Sequence, residues 1–311
     1  MKKLFLLLAL AITASAFASC GNENTEQSVT PPAESQESVE ESKDYMENAD
    51  KVISSLDYTN NGKMGDQDGP AFAVYSNKGF SGASVLLDIE NMEINTRLSD
   101  GRTVNGYMFL GVDVYNGAYW ANCVDVGLCW SGASGGWHIF YNMYEPLNEG
   151  TPTWYESGKK LPKNDIYLLS LNITEDNYAV LTVEAQNGRF KDEVKLEVKG
   201  AKANGSNTAM LFNVALDYPA DTKLDQNGNK SEDWKEITLG NTDKGLYLKS
   251  LRAYELKLYK GEKSLPWVNE NNSSLGIWPD KALNFDYAPT QVGVFDGTEY
   301  YINLDMNRKG E

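Results

Sequence analysis

Over much of this chain polar and apolar residues alternate with a period of two, and the alternation is punctuated by short Gly, Asn, Asp and Ser clusters. A period of two sends successive side chains to opposite faces of a strand. The densest stretch, 107–145, predicts three strands over 107–114, 119–130 and 137–144, joined at Asn116-Gly117 and by residues 131–136. Further strands are expected over 81–97, 166–173, 178–186, 193–198, 208–216, 246–251 and 254–258. A hairpin over 292–304 turns at Asp296-Gly297. No segment keeps a helical period for three turns. The pattern therefore predicts an all-β antiparallel sandwich over 47–259, with 260–311 as a C-terminal extension whose hairpin packs on it.

Two segments at the start lack this pattern. Residues 1–19 begin with Lys2 and Lys3, continue as an apolar run from Leu4 and end in small residues, the layout of a secretory signal peptide. The run is too short to span a bilayer. The stretch Phe17-Ala18-Ser19-Cys20 resembles the lipobox of bacterial lipoproteins, with Phe17 where Leu is usual. The resemblance implies that Cys20 becomes an acylated N-terminus, carrying chains such as palmitate, that anchors the protein in the membrane. Residues 20–46 are Glu, Ser, Asn, Gln and Pro, an acidic linker too poor in apolar residues to offset the entropy of ordering. The expected location is extracytoplasmic and lipid-anchored, at the cell surface or outer membrane.

Composition narrows the function. Beyond the linker about 260 residues remain, enough for one large sandwich. A net charge of −16 argues against nucleic acid as a partner and against an electrostatic grip on anionic lipids. One His excludes most zinc sites, and three Cys are too few for a disulfide framework.

The order of strand types resembles the concanavalin-like jelly roll of legume lectins, laminarinase-type glycosidases and fungal glutamic peptidases. The resemblance to the peptidases covers roughly 107–214. Val124-Asp125-Val126-Gly127-Leu128 stands for their Gln-bearing strand, followed by Tyr141-Asn142-Met143-Tyr144-Glu145-Pro146, and Ala209-Met210-Leu211 for their Glu-bearing one. Asp125 would then occupy the Gln position and Met210 the Glu position. A thioether is neither acid nor base, so the resemblance implies the fold without that peptidase chemistry.

Several residues are candidates for chemistry. On 122–130 the period places Val124, Val126, Leu128 and Trp130 on one face, and Cys123, Asp125, Gly127 and Cys129 on the other. The second face either lines a concave ligand surface or is buried, with Asp125 hydrogen-bonded by a neighbouring Tyr or Trp. Cys123 and Cys129 would lie about 20 Å apart on a continuous strand, which favours two separate thiols over a bridge. Tyr115, Tyr119, Trp120, Trp137, Tyr144, Trp154 and Tyr155 fall near strand ends, where rings either fill the core or stack on sugars. Asp88, Glu90 and Glu93 share the acid spacing of laminarinase-type glycosidases, with Asp and Glu exchanged at the first two places. The bland alternative is a solvated strand face.

Asp225, Asn227, Asn229, Ser231, Asp233 and Glu236 have the oxygen spacing of a calcium loop, although Lys230 stands where the turn Gly belongs. The alternative there is a polar turn. The acidic loop 57–68 is a poorer version of the same pattern. His138 reads as a hydrogen-bonded structural residue. The expected function is binding of extracellular carbohydrate or another envelope ligand, with calcium as the one cofactor suggested. The alternatives are a laminarinase-like glycoside hydrolase and a purely structural envelope lipoprotein.

Overall fold

The computed structural model describes residues 45–54, 69–98, 101–217, 245–278 and 288–310. The signal peptide, most of the linker with Cys20, the proposed calcium loop at 225–236 and the loop at 57–68 lie outside them.

The described residues form strands β1 (Lys51–Ser54), β2 (Ala71–Ser76), β3 (Gly82–Asp88), β4 (Glu93–Asn95), β5 (Gly106–Asn116) and β6 (Tyr119–Trp130). They continue as β7 (Trp137–Met143), β8 (Trp154–Lys160), β9 (Ile166–Glu175), β10 (Tyr178–Ala185), β11 (Lys191–Glu197) and β12 (Thr208–Leu216). The last five are β13 (Tyr247–Lys260), β14 (Lys263–Pro266), β15 (Asn272–Trp278), β16 (Thr290–Phe295) and β17 (Glu299–Asp305). They pair antiparallel into two sheets. A ten-stranded sheet runs β1-β16-β17-β13-β3-β9-β10-β11, with β4 and β14 also on β13, and a seven-stranded sheet runs β15-β2-β12-β5-β6-β7-β8. This is the two-sheet antiparallel sandwich that the alternation predicts.

Between the sheets lies one core. Strands β9 and β10 supply Tyr167, Leu169, Leu171, Leu181 and Val183 from one side. Strands β5, β6 and β12 supply Met108, Leu110, Val126, Leu128, Phe212 and Val214 from the other. Every second residue of these strands points inward, as the pleat requires.

Three expectations change. The strand expected over 81–97 is broken: β3 ends at Asp88 and β4 begins at Glu93, each pairing with a different part of β13. The two strands expected at 246–251 and 254–258 are one, β13. Its pairing shifts between Leu248 and Leu251 and between Tyr254 and Lys257, where Ser250 (φ 59°) and Glu255 (φ 51°) take left-handed backbone. Bulges of this kind interrupt the period of two without ending the strand. Nor is the segment after Lys260 an appendage. Strands β16 and β17 sit between β1 and β13, and β15 is the edge of the other sheet.

Candidate functional site

The outer face of the seven-stranded sheet is apolar at its centre. Ala71, Ala73, Phe109, Cys129, Phe140, Leu211 and Trp278 form a second cluster there, with Tyr75, Tyr107 and Ala215 packed against it. This explains why β12 is buried along nearly its whole length, on both faces.

Cross-strand register assembles the site from rows. One row reads Tyr75, Leu211, Gly111, Asp125, Asn142 and Trp154 across β2, β12, β5, β6, β7 and β8. The next reads Ala73, Asn213, Phe109, Gly127, Phe140 and Glu156. Two glycines keep the centre low. A Cβ on Gly111 would lie 3.0 Å from Oδ1 of Asp125, and one on Gly127 would lie 2.5 Å from the Met108 carbonyl oxygen. The result is a groove of about 280 Å³ lined by Tyr107, Phe109, Asp125, Phe140, Asn142, Trp154, Asn213 and Asp217, among others. That volume is near the lower end of small-ligand sites, roughly 300–1,000 Å³.

Its wall is aromatic. The Phe140 ring lies 5.2 Å from Tyr107, 5.4 Å from Trp154 and 5.9 Å from Phe109. Trp154 keeps 42% of its surface open. Tyr107 Oη donates to Asp217 Oδ2 at 3.3 Å and receives a hydrogen bond from Asn105 Nδ2 at 3.1 Å.

The floor is polar. Burial, and secondarily the charge of Asp113 on the neighbouring strand, raise the Asp125 carboxyl to about 7. Burial also raises Asp113, which Trp120 Nε1 partly offsets by donating to its Oδ1 at 3.1 Å. Asp125 accepts no hydrogen bond among the described residues, so the neighbouring Tyr or Trp envisaged as its partner is absent: the indole serves Asp113 instead. Asn213 is only 4% exposed, and its Oδ1 is buried without a partner. Cys123 is pushed up to about 12 by burial, then by Asp125 and Asp113, which keeps it a thiol. Cys123 and Cys129 are both free.

The other expected residues scatter. Tyr119 (81% exposed), Trp120 and Tyr144 gather around the β5–β6 turn, the last two in edge contact at 5.0 Å. Tyr115 lies under the Lys78 ammonium at 4.6 Å. Trp137 is no platform residue: it is 2% exposed, in the core against Trp130. Tyr155 stacks on Tyr141 at 5.1 Å. Met210 faces the core, since the groove positions of β12 are Ala209, Leu211, Asn213 and Ala215. His138 is buried, with Nδ1 2.7 Å from the Ser157 carbonyl oxygen, as a structural residue would be.

Asp88, Glu90 and Glu93 belong to the other sheet. Asp88 Oδ1 accepts from the Glu90 backbone at 3.1 Å, while Glu93 lies opposite Lys249 in the backbone ladder with β13, and the Lys249 ammonium meets Asp305 instead. The break between β3 and β4 removes the single strand face that their joint chemistry required.

No protein-family model matches the chain, and no curated protein matches it. Among solved structures it is similar to scytalido-glutamic peptidase bound to a transition-state-analogue inhibitor, at 13% identity and a TM-score of 0.45 over 76% of this chain and 98% of that one. A second is SCP-B, a member of the eqolisin family of peptidases in complex with the tripeptide Ala-Ile-His, at 12% identity and a TM-score of 0.44 over the same shares. A third is the enzymatically active domain of bacteriophage CBA120 tailspike protein 2, at 8% identity and a TM-score of 0.31 over 68% of this chain and 29% of that one. Likeness at these scores carries no argument about chemistry.

The groove residues missed in the sequence include Tyr107, Phe109, Phe140, Asn142, Asn213 and Asp217; Asp113 beside them, whose charge acts on Asp125, was missed as well. Residues 107–114 are apolar on both faces apart from Asp113, and such a run hides which parity faces the core. The signal present was Asp113 itself, an acid inside an otherwise apolar strand.

Proposed function

We propose that this chain is a carbohydrate-binding surface lipoprotein, with Cys20 acylated and extracellular glycan held in the groove of the seven-stranded sheet. The observation that supports this is the half-open Trp154 ring beside Tyr107 and Phe140, above a floor of Asp125, Asn142 and Asn213. An aromatic face covers the C–H face of a sugar, and side-chain amides and carboxylates take its hydroxyls. Glycan-array binding tests the reading: Trp154→Ala and Asn142→Ala should each abolish it while the protein still melts cooperatively within a few degrees of the parent. Unchanged binding by Trp154→Ala would reject the groove. Incorporation of labelled palmitate at Cys20, lost in Cys20→Ala, tests the anchor.

One observation favours a second reading, a glycan hydrolase. Asp125, held near neutrality beside Asp113, has the proton affinity of a general acid. New reducing ends from an oligosaccharide panel, lost in Asp125→Asn, would establish it.

A further inference from the structure

We propose that the groove selects an amino sugar with its nitrogen unsubstituted, the protonated amine resting between the aromatic wall and the Asp125 carboxylate. This rests on the carbohydrate reading and names the kind of sugar.

Two acceptors on the floor ask for a donor. Asp125 has no hydrogen bond among the described residues, and Asn213 Oδ1 is buried with none. Asn213 is more than nine-tenths buried and lines the same cavity as Asp125, one row away on the same face. Among the described residues that line the groove, no Lys or Arg supplies that donor internally. A hydroxyl offers one proton, whereas an ammonium offers three together with a full positive charge.

The wall asks for the same thing. The faces of Tyr107, Phe109, Phe140 and Trp154 carry negative quadrupole potential, which attracts a cation. The rings form one contiguous wall, with neighbouring centroids 5.2–6.4 Å apart and Trp154 half open. A flat apolar wall of this kind suits the C–H face of a pyranose ring better than the thin stem of a lysine. Uronates and other anionic sugars are disfavoured by Asp125 and Asp217.

The electrostatics agree. Among the described residues the groups that act on Asp125 or feel its charge are Asp113 from β5, Cys123 from β6 and Tyr75 from β2, and none of them is a cation. A cation in the groove would reverse the effect of Asp113 and favour the charged carboxylate. Binding slightly below pH 7 should therefore release a proton.

Titration calorimetry of the full folded chain with a glucosamine tetrasaccharide and its fully N-acetylated counterpart at pH 7 tests this. The free amine should bind at least about tenfold more tightly, since a charged hydrogen bond replaces a neutral one. Asp125→Asn should erase that preference, and Asn213→Ala should weaken the free amine several-fold. Repeating the titration at pH 6.5 in buffers of different ionisation enthalpy, for the parent chain and for Asp125→Asn, should show a difference equal to the proton that Asp125 releases, since any uptake by the sugar amine is common to both. Equal affinity for the acetylated sugar, or a preference that survives both substitutions, would overturn the amine assignment and leave the carbohydrate reading standing. Binding of neither sugar would overturn both. Trilysine binding as tightly as the glucosamine oligomer would overturn the sugar assignment.

Discussion

The sandwich has two outer faces built on the same pleat, and they treat polar groups in opposite ways. On the ten-stranded sheet, Lys191 Nζ meets Glu184 at 2.9 Å, Lys195 Nζ meets Glu175 at 2.6 Å, and Thr182 Oγ1 donates to Glu193 at 3.2 Å. These carboxylates have a donor and solvent as well. On the seven-stranded sheet, Asp125 and Asn213 sit among aromatic rings and have neither partner nor full hydration. Hydrophobicity alone does not separate the faces in kind, because a sandwich could bury either one under a loop. What separates them is compensation. A desolvated acceptor without a donor costs free energy that folding does not repay, and such costs persist where activity needs them.

The largest expected effect breaks the contrast at Asp125. Its carboxyl is raised from 3.8 to about 7, first by burial and then by Asp113. Below pH 4 both folded and unfolded chains hold the proton, and the residue contributes almost nothing. Between pH 4 and 7 the unfolded chain has released a proton that the fold retains, so stability falls as pH rises. Above pH 7 the loss is complete, on the order of 4 kcal/mol. Asp125→Asn should therefore stabilise the protein by up to about that amount at pH 8 and by less than about 1 kcal/mol at pH 4, read from urea denaturation at the two pH values. The matched change on the other face, Glu184→Gln, should leave the midpoint unmoved at both. Equal shifts in the two variants would mean the faces do not differ.

The depth of the groove gives the next effect. A methyl at Gly127 would meet the Met108 carbonyl oxygen and Phe109 Cα at 2.5 Å, both backbone atoms that cannot step aside. Gly127→Ala should cost about 1–3 kcal/mol as an overpacked substitution. Gly158, on edge strand β8 with nothing within 4 Å of the same methyl, should accept Ala without loss. Thermal melting of the pair separates a glycine that shapes the floor from one that does not. The stability cost of Trp154→Ala comes next. The ring is partly open and meets Phe140 and Tyr107, pairs worth about 0.5–1.5 kcal/mol each at most. The melting temperature should therefore fall by only a few degrees while binding is lost.

How much of this was legible depends on what each residue's neighbours hide. Strands β6 and β12 were read to their end residues, because β6 alternates cleanly and β12 is bounded by turn residues. The two faces of β6, with Asp125 opposite Val124 and Val126, were also readable. Strand β8 was not, since an edge strand reading WYESGKK is polar on both faces and offers no period. The partners of Asp125 were hidden for a different reason. Asn142 and Asn213 come from strands about 20 and 90 residues away, and only register places them in adjacent rows. Trp137 looked like a surface ring because its strand opens after a turn, yet parity turns it inward beside Ile139.

The smallest effect completes the contrast from the charged side. Lys191 and Glu184 lie directly opposite each other on β10 and β11, with side chains 60% and 43% exposed. Water solvates both whether or not they meet, and ordering two long side chains offsets most of their attraction. Lys191→Met should shift the melting temperature by no more than about 1 °C at low salt. In 0.5 M salt the shift should vanish, because screening acts within a few ångströms at that ionic strength. The groove should behave otherwise: the stabilisation of Asp125→Asn arises mainly from desolvation, which dissolved ions cannot reach, so it should persist in the same salt. Melting both variants at low and high salt thus asks one question of two carboxylates on one pleat. If added salt abolished the Asp125 effect along with the Lys191 effect, desolvation would not be its cause, and the groove floor would be an ordinary wet surface.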